Sequence, residues 1–403
     1  MKIAILAACL SALLCAASAA TTVRIDKDNL WIVDGKPYFA LGLSGAPPAD
    51  LKTPDGRDGW GELASGGVNW MRIGAFPWKQ AAIDDVQAQM DAAARVGIGG
   101  MLSFWDLSAP TNAKQEAELK AALERFKDHP ALVAYKDVDE PAWGKRPIPP
   151  IIKGYEIIKQ LDPGHPVVMV NAPRNTIDEL RRYAVACDGT GVDIYPVSVP
   201  MGKHSDLPNK QMSVVGDYIK RMVEVVENKK PILAVLQITF SGTTPPKNIL
   251  VRPTLYQQRY MTYQAIIDGA KGIMYFGGYI VLNERDAKLG FNWTYWYDVL
   301  KPLFKEIGPG SEVYQVMTAP SADDVKIGVQ GASDIEVLAR KVNGRTYILA
   351  AKREGDTVKA KLTGLSGSGE ADVLHENRKV PVKWGVIEDE FKPNSVHVYR
   401  VGY

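Results

Sequence analysis

Short apolar runs alternate with amphipathic stretches along most of the chain. Tyr38–Leu43, Gly67–Ile73, Gly99–Trp105, Leu132–Tyr135, Pro166–Val170, Gly189–Tyr195, Pro231–Leu236 and Gly272–Phe276 have the length and apolar content of buried strands. Helical patterns lie between them, at Asp84–Val96, Ala113–Phe126, Ile151–Leu161, Ile177–Val185, Met212–Glu227 and Thr254–Asp268. The strand-like runs lack the in-and-out alternation of a half-solvated sheet, so both faces must be covered. That is the condition of a parallel sheet with crossover helices. Eight such units over roughly 250 residues predict a closed (β/α)8 barrel of the TIM type.

Thr22–Asp34 reads as an N-terminal hairpin, and Val33-Asp34-Gly35-Lys36-Pro37 supplies the turn into the first barrel strand. Past Gly308-Pro309-Gly310 the helical period stops and two-residue alternation begins, at Ile335–Arg340, Arg345–Ala350, Thr357–Leu362 and Ser395–Arg400. Antiparallel strands solvated on one face give that pattern, which predicts a small all-β sandwich. The expected organisation is a barrel domain with its hairpin over residues 21–310 and a sandwich over residues 311–403.

Composition narrows the compartment and the partners. Residues 1–20 have the form of a secretory signal: Lys2, an apolar stretch from Ile3 to Leu14, then a small-residue cleavage site at Ala17-Ser18-Ala19 or Ser18-Ala19-Ala20. The mature chain is expected to begin near Thr21 and to be exported, to the periplasm or outside the cell. Leu6-Ala7-Ala8-Cys9 has the composition of a lipoprotein box, but the apolar region before it is too short. Cys9 and Cys15 leave with the signal, so Cys187 has no partner for an intramolecular disulfide. A formal charge of +2 in 403 residues argues against a nucleic-acid partner. No later segment is long and apolar enough to span a bilayer. His129, His165, His204, His375 and His397 are scattered without ligand spacing, so no metal or other cofactor is expected. Nothing in these features fixes an oligomeric state.

The candidate chemistry sits at strand ends. Asp139-Glu140-Pro141 follows the fourth strand, on the face where such barrels carry their active sites. A carboxyl that is partly buried beside a second carboxylate has its pKa raised, which suits a proton donor. The structural alternative is a loop cap or an ion pair with Lys145 or Arg146. Asp193 ends the sixth strand in Gly191-Val192-Asp193-Ile194-Tyr195-Pro196, and Asp106 follows Phe104-Trp105 at the third.

Asp139-Glu140-Pro141 and Arg72, at the end of the second strand, stand where glycoside hydrolase clan A barrels carry Asn-Glu-Pro and Arg. The chain resembles that clan. His129-Pro130-Ala131-Leu132 and the closing Phe391–Tyr399 also look like exported glycosidases with a β-sandwich appendage. The resemblance implies hydrolysis of an oligo- or polysaccharide with Glu140 as general acid/base. The chain departs from the clan at two positions: Asp139 replaces the Asn, and Gln237 falls where the nucleophilic Glu of the seventh strand is expected. An amide cannot attack an anomeric carbon as a carboxylate does.

A different second group is therefore expected. Asp193, with its backbone roughly 10 Å from that of Glu140 across two strand spacings, is the first choice as base for a water nucleophile. An inverting pair of that kind stands about 6.5–9.5 Å apart. Asp106 is the reserve base, and the adjacent Asp139-Glu140 pair also permits a substrate-assisted retaining reaction. Trp60, Trp78, Trp105, Trp143, Trp293 and Trp296 fall in or beside segments that follow strands, where flat rings would stack on sugars. The expected sugar-binding residues are Arg72, Trp105, Asp106, Trp143, Asn171, Tyr195, Gln237 and Trp293. The rival from another class is a catalytically inactive carbohydrate-binding barrel. A polysaccharide lyase ranks third, since the strand ends offer mostly carboxylates.

Overall fold

A computed structural model describes residues 20–75, 77–78, 80–239 and 250–402 of the chain. All but the last residue of the predicted signal lies outside the described residues. Strands β1 (Val23–Ile25), β2 (Trp31–Val33) and β3 (Lys36–Tyr38) form a small antiparallel sheet ahead of the barrel. The eight parallel barrel strands are β4 (Ala40–Ser44), β5 (Trp70–Gly74), β6 (Gly99–Ser103), β7 (Leu132–Lys136), β8 (Val167–Asn171), β9 (Gly189–Asp193), β10 (Ile232–Gln237) and β11 (Ala270–Phe276). Closure is made by β11 against β4, with Gly272 opposite Ala40. Helices form where the period predicts them, and Thr176 with Glu179 and Thr254 with Gln257 start two of them as capping boxes.

The strands are apolar on both sides because both sides are covered. Ala40, Trp70, Met101, Val168, Leu233 and Met274 fill the barrel interior. Leu41, Met71, Ile73, Leu102, Val167 and Leu236 face the helices. At Gly42 the fit is too close for any side chain, since a Cβ there would lie 1.6 Å from the Trp70 carbonyl oxygen. Trp31 of β2 closes the N-terminal end of the barrel, edge-on to Trp70 with ring centroids 5.5 Å apart. The apolar filling stops at the other end: Ser44, Lys136 and Asp193, which end their strands, and Arg72 within β5 line a cavity. A barrel sealed below and polar above directs any chemistry to its C-terminal mouth.

One expected boundary feature differs. Helical structure resumes after Gly310 as a seven-residue helix at Glu312–Thr318, capped by the Ser311 side chain. Two turns are too short for periodicity to show. Beyond it, β12 (Gly328–Gln330), β13 (Ile335–Val342), β14 (Arg345–Lys352), β15 (Val358–Thr363), β16 (Gly369–Val373), β17 (Arg378–Lys383), β18 (Val386–Phe391) and β19 (Val396–Val401) make one antiparallel sheet in the order β12-β15-β18-β17-β16-β19-β14-β13. Its strands share an apolar core of their own.

Alternation along β14 ties this sheet to the barrel. Ile348 and Ala350 enter the sheet's own core, whereas Tyr347, Leu349 and Ala351 join the barrel's outer core with Val396 and Val398. Polar links surround the seam: Arg353 to Asp217 at 2.9 Å, and Arg259 to Glu306 at 2.7 Å and to the Val396 carbonyl at 2.8 Å. No helix among the described residues is long and apolar enough to cross a membrane.

Leu349 is fully buried at this seam, so Leu349→Ala is expected to lose about 2–5 kcal/mol of stability. Urea denaturation checks this. A loss below about 1 kcal/mol would show that the sheet does not depend on the barrel surface.

Candidate active site

Backbone pairing carries the chain past the end of β7 and fixes Glu140. Asp137 N–H donates to the Val168 carbonyl and Glu140 N–H to the Val170 carbonyl, each at 2.9 Å, so the segment continues to lie along β8. The Asp137 side chain is buried and accepts from the Val138 N–H at 2.7 Å. Glu140 itself is left-handed, with φ +46°, and Gly144 and Arg146 close the following turn by donating to the Glu140 and Pro141 carbonyls. Trp105, also left-handed at φ +52°, lines the same cavity. Non-glycine residues in this region cost on the order of 1–3 kcal/mol each. Such residues collect at sites where side-chain aim matters more than backbone comfort.

The cavity holds about 260 Å³ and is lined by carboxyl, cationic and aromatic groups. Lys136 is buried, and its ammonium lies 2.6 Å from the Asp139 carboxylate and 5.9 Å from the Trp105 ring centre. Arg72 donates through Nε to Ser44 Oγ at 3.0 Å, with its guanidinium carbon 5.0 Å from the same ring centre. Across the mouth, carboxyl oxygens of Glu140 and Asp193 and a ring nitrogen of His204 all lie within 4.8 Å of one another. Tyr195 is stacked between His204 at 4.6 Å and Phe276 at 5.5 Å.

These surroundings separate the protonation states of the three carboxyls. Burial works against ionisation of Asp139, but the Lys136 and Arg72 charges outweigh it and hold its pKa below the ordinary carboxylate value. The Asp139 side chain is nonetheless 43% exposed, because it faces the open cavity. Burial, and then the charge of Asp139, raise the pKa of Glu140. Burial, followed by the charges of Glu140 and Asp139, lifts Asp193 far above its usual value. The result is one carboxyl shifted toward ionisation next to a pair shifted toward the protonated form. Divergent pKa values of this kind mark acid and base roles. Burial, with a smaller part from Arg174, depresses the His204 imidazole to about 3, so it is neutral. Glu140, Asp193 and His204 are also close enough to share a divalent cation, a grouping that their scattered positions in the sequence did not suggest.

The fold brings together seven of the residues singled out by sequence: Glu140, Asp139, Asp193, Arg72, Trp105, Trp143 and Tyr195 all line the cavity. The others have duties elsewhere. Gln237 is fully buried, accepting from the Val197 N–H at 2.9 Å and donating to its carbonyl at 2.7 Å, which ties down the loop after β9. Asn171 donates to Thr190 Oγ1 at 3.2 Å and braces β8 against β9. Asp106 pairs with Arg146 at the rim. Trp293 is buried against Phe291 and Tyr297, and Trp60, Trp78 and Trp296 likewise pack in the outer core. The expected tryptophan cluster thus reduces to Trp105 and Trp143.

Sequence reasoning missed Lys136, Arg174, Lys203 and Phe276 as lining residues, as well as His204, which it grouped with histidines lacking ligand spacing. Only Lys136 left a signal, as a charge at the end of an otherwise apolar run. The spacing expected between Glu140 and Asp193 also differs. Atoms within 4.8 Å are closer than the roughly 6.5–9.5 Å that admits a water between an inverting pair.

No family model and no curated protein sequence matches the chain. Solved structures do. The chain is similar to a structure described as a glycoside hydrolase, with a TM-score of 0.62 at 14% identity over 94% of this chain and 96% of that one. It is similar to a glycoside hydrolase family 5 structure from Bacteroides vulgatus, with a TM-score of 0.62 at 14% identity over 94% and 93% of the two chains. A glycoside hydrolase family 30 subfamily 8 xylanase from Clostridium acetobutylicum gives 0.54 at 14% identity over 96% and 98%. The likeness runs through barrel and β domain together, and it shows a clan A-like (β/α)8 fold.

The depressed imidazole makes a direct prediction. The unfolded-state pKa of His is about 6.5, and the folded value is about 3. Native stability from this group is therefore full above the unfolded pKa and falls as pH drops toward 3. NMR of the His204 ring is expected to show no protonation midpoint between pH 8 and about 4. A midpoint near 6.5 would place the ring in solvent.

Proposed function

We propose that the protein is a glycoside hydrolase that cleaves O-glycosidic bonds, with Glu140 as general acid. A glycosidic oxygen leaves only when protonated, so the site must hold a proton near neutral pH and aim it. The observation that carries the reading is the placement of Glu140, its pKa raised by burial and by the neighbouring charge, beside a Lys136-bound Asp139 at one cavity. Trp105 and Trp143 give that cavity flat apolar walls suited to sugar faces. The substrate is an oligo- or polysaccharide, and the signal-like pattern of residues 1–20 supports an exported enzyme.

Asp193 serves this reaction as the proton-sharing partner of Glu140, and a base acting through water is disfavoured by its closeness. Among the described residues, the carboxyl groups lining the cavity are those of Asp139, Glu140 and Asp193. Gln237 is turned to Val197 where a nucleophile would stand. That arrangement supports a second reading: a substrate-assisted reaction in which an acetamido group of the sugar attacks and Asp139 orients it. Faster cleavage of 2-acetamido glycosides than of matched glycosides favours it. The inactive carbohydrate-binding barrel is the alternative to both.

Glu140→Gln is expected to lower kcat on a cleaved glycan by about 10²–10⁴-fold with the thermal midpoint unchanged. Unaltered turnover would remove Glu140 from the chemistry, and glycan binding with no turnover by the parent enzyme would favour the binder. The pH profile gives an independent check. A proton donor is active below its pKa, so kcat/KM should fall as pH rises through the raised Glu140 value. Asp139→Asn removes a charge that raises that value, and the alkaline limb should move to lower pH in whatever activity remains. A limb that stays in place would mean that another group titrates.

A further inference from the structure

The charges that line the cavity do not balance. Arg72, Lys136 and Arg174 line it together with the carboxyls of Asp139, Glu140 and Asp193. Lys136 is committed to Asp139, and the close approach of Glu140 to Asp193 is tolerable only if the pair retains a proton.

Arg72 shares the Asp139 charge with Lys136 at longer range, and neither Arg72 nor Arg174 has an ion pair of its own among the described residues. Arg72 is buried, and beyond its Nε contact with Ser44 its terminal nitrogens make no hydrogen bond and no ion pair among the described residues. Arg174 is half-buried on the loop after β8, and its guanidinium has neither a hydrogen bond nor an ion pair among them. Its charge nevertheless reaches both Glu140 and His204. Several arginines elsewhere in the chain are paired. Arg259, Arg340, Arg353, Arg378 and Arg400, buried or partly buried, each hold a carboxylate.

A neutral sugar filling the cavity would strip water from two guanidinium groups and return only hydroxyl contacts, which is costly for a charge without an ion pair of its own. An oxyanion on the sugar would restore the balance through the paired N–H geometry that arginine offers to carboxylate and sulfate. Arg174 also lines the groove that shares Trp143 with the cavity and continues past Asn175 and Arg221, with the carboxylates of Glu179 and Asp206 farther along it, so an anion at Arg174 would sit at the cavity end of that groove.

We infer that the protein takes an anionic glycan, whose uronate carboxylate or sulfate ester is drawn to the Arg174 and Arg72 guanidinium groups that line the cavity with Glu140. The inference rests on the glycosidase reading for the use of the site, but the anion subsite stands or falls on binding alone.

The test is calorimetric titration of the Glu140→Gln protein with glucuronate, galacturonate, glucose 6-sulfate and glucose. One or more of the anionic sugars is expected to bind at least tenfold tighter than glucose. The preference should shrink with added salt and be lost in Arg174→Gln with the thermal midpoint retained. Preference for the uronates alone assigns a carboxylate, and preference for the sulfate ester alone assigns a sulfate. Equal binding of glucose, or an anion preference that survives in both Arg174→Gln and Arg72→Gln, overturns the proposal. Turnover of the parent enzyme on aryl glucuronides and glucosides separates this result from the function above. Anion preference together with an unsaturated elimination product would keep the subsite and reject hydrolysis.

Discussion

The contact between the Lys136 ammonium and the Asp139 carboxylate, 2.6 Å apart at the end of the fourth barrel strand, sets the state of the whole cavity. A buried lysine is costly unless it is paired, and here the partner is the residue immediately before Glu140. With Asp139 kept ionised, the burial of the site and the Asp139 charge together raise the Glu140 pKa. Asp193, more deeply buried, follows the same direction. Three carboxyls in one cavity would repel one another if all were ionised. One ammonium and a shared proton make the arrangement tenable and leave the groups in unlike states.

The barrel supplies what that arrangement requires. Parallel strands deliver their C-terminal residues to one rim, and inward-facing side chains change there from apolar filling to Ser44, Arg72, Lys136 and Asp193. Trp31 and the small sheet around it seal the opposite end. Backbone bonds from Asp137 and Glu140 to β8 carry the chain beyond its own strand, so a left-handed Glu140 is held by the neighbouring strand and by the turn that follows. The C-terminal sheet braces the outer helices through Leu349 and Val398 and contributes none of the residues that line the cavity.

The fold was legible because its signals are local. Runs such as Val167–Asn171, buried on both faces, and helices such as Ile177–Ala184, opened by a capping box, leave their period and end residues in the chain. The helix at Glu312–Thr318 was not legible, being too short to show a period. In the site, Asp139, Glu140 and Asp193 were found because each ends a recognisable strand. Arg174 and Lys203 were not found, because they lie on connections whose path no pattern encodes. Trp60, Trp293 and Trp296 misled for the converse reason: following a strand does not decide whether a ring turns to the cavity or into the outer core.

The sequence by itself determined the eight strand and helix units, the following antiparallel sheet and the carboxyl groups at the strand ends, since periodicity and end residues act over a few neighbours. Only the tertiary structure decided which groups meet. It turned Gln237 onto the Val197 backbone, drew Glu140, Asp193 and His204 within 4.8 Å, and set Arg174 beside them. Distances and protonation states depend on burial and on charges brought from separate strands and loops, and neither exists until the barrel closes.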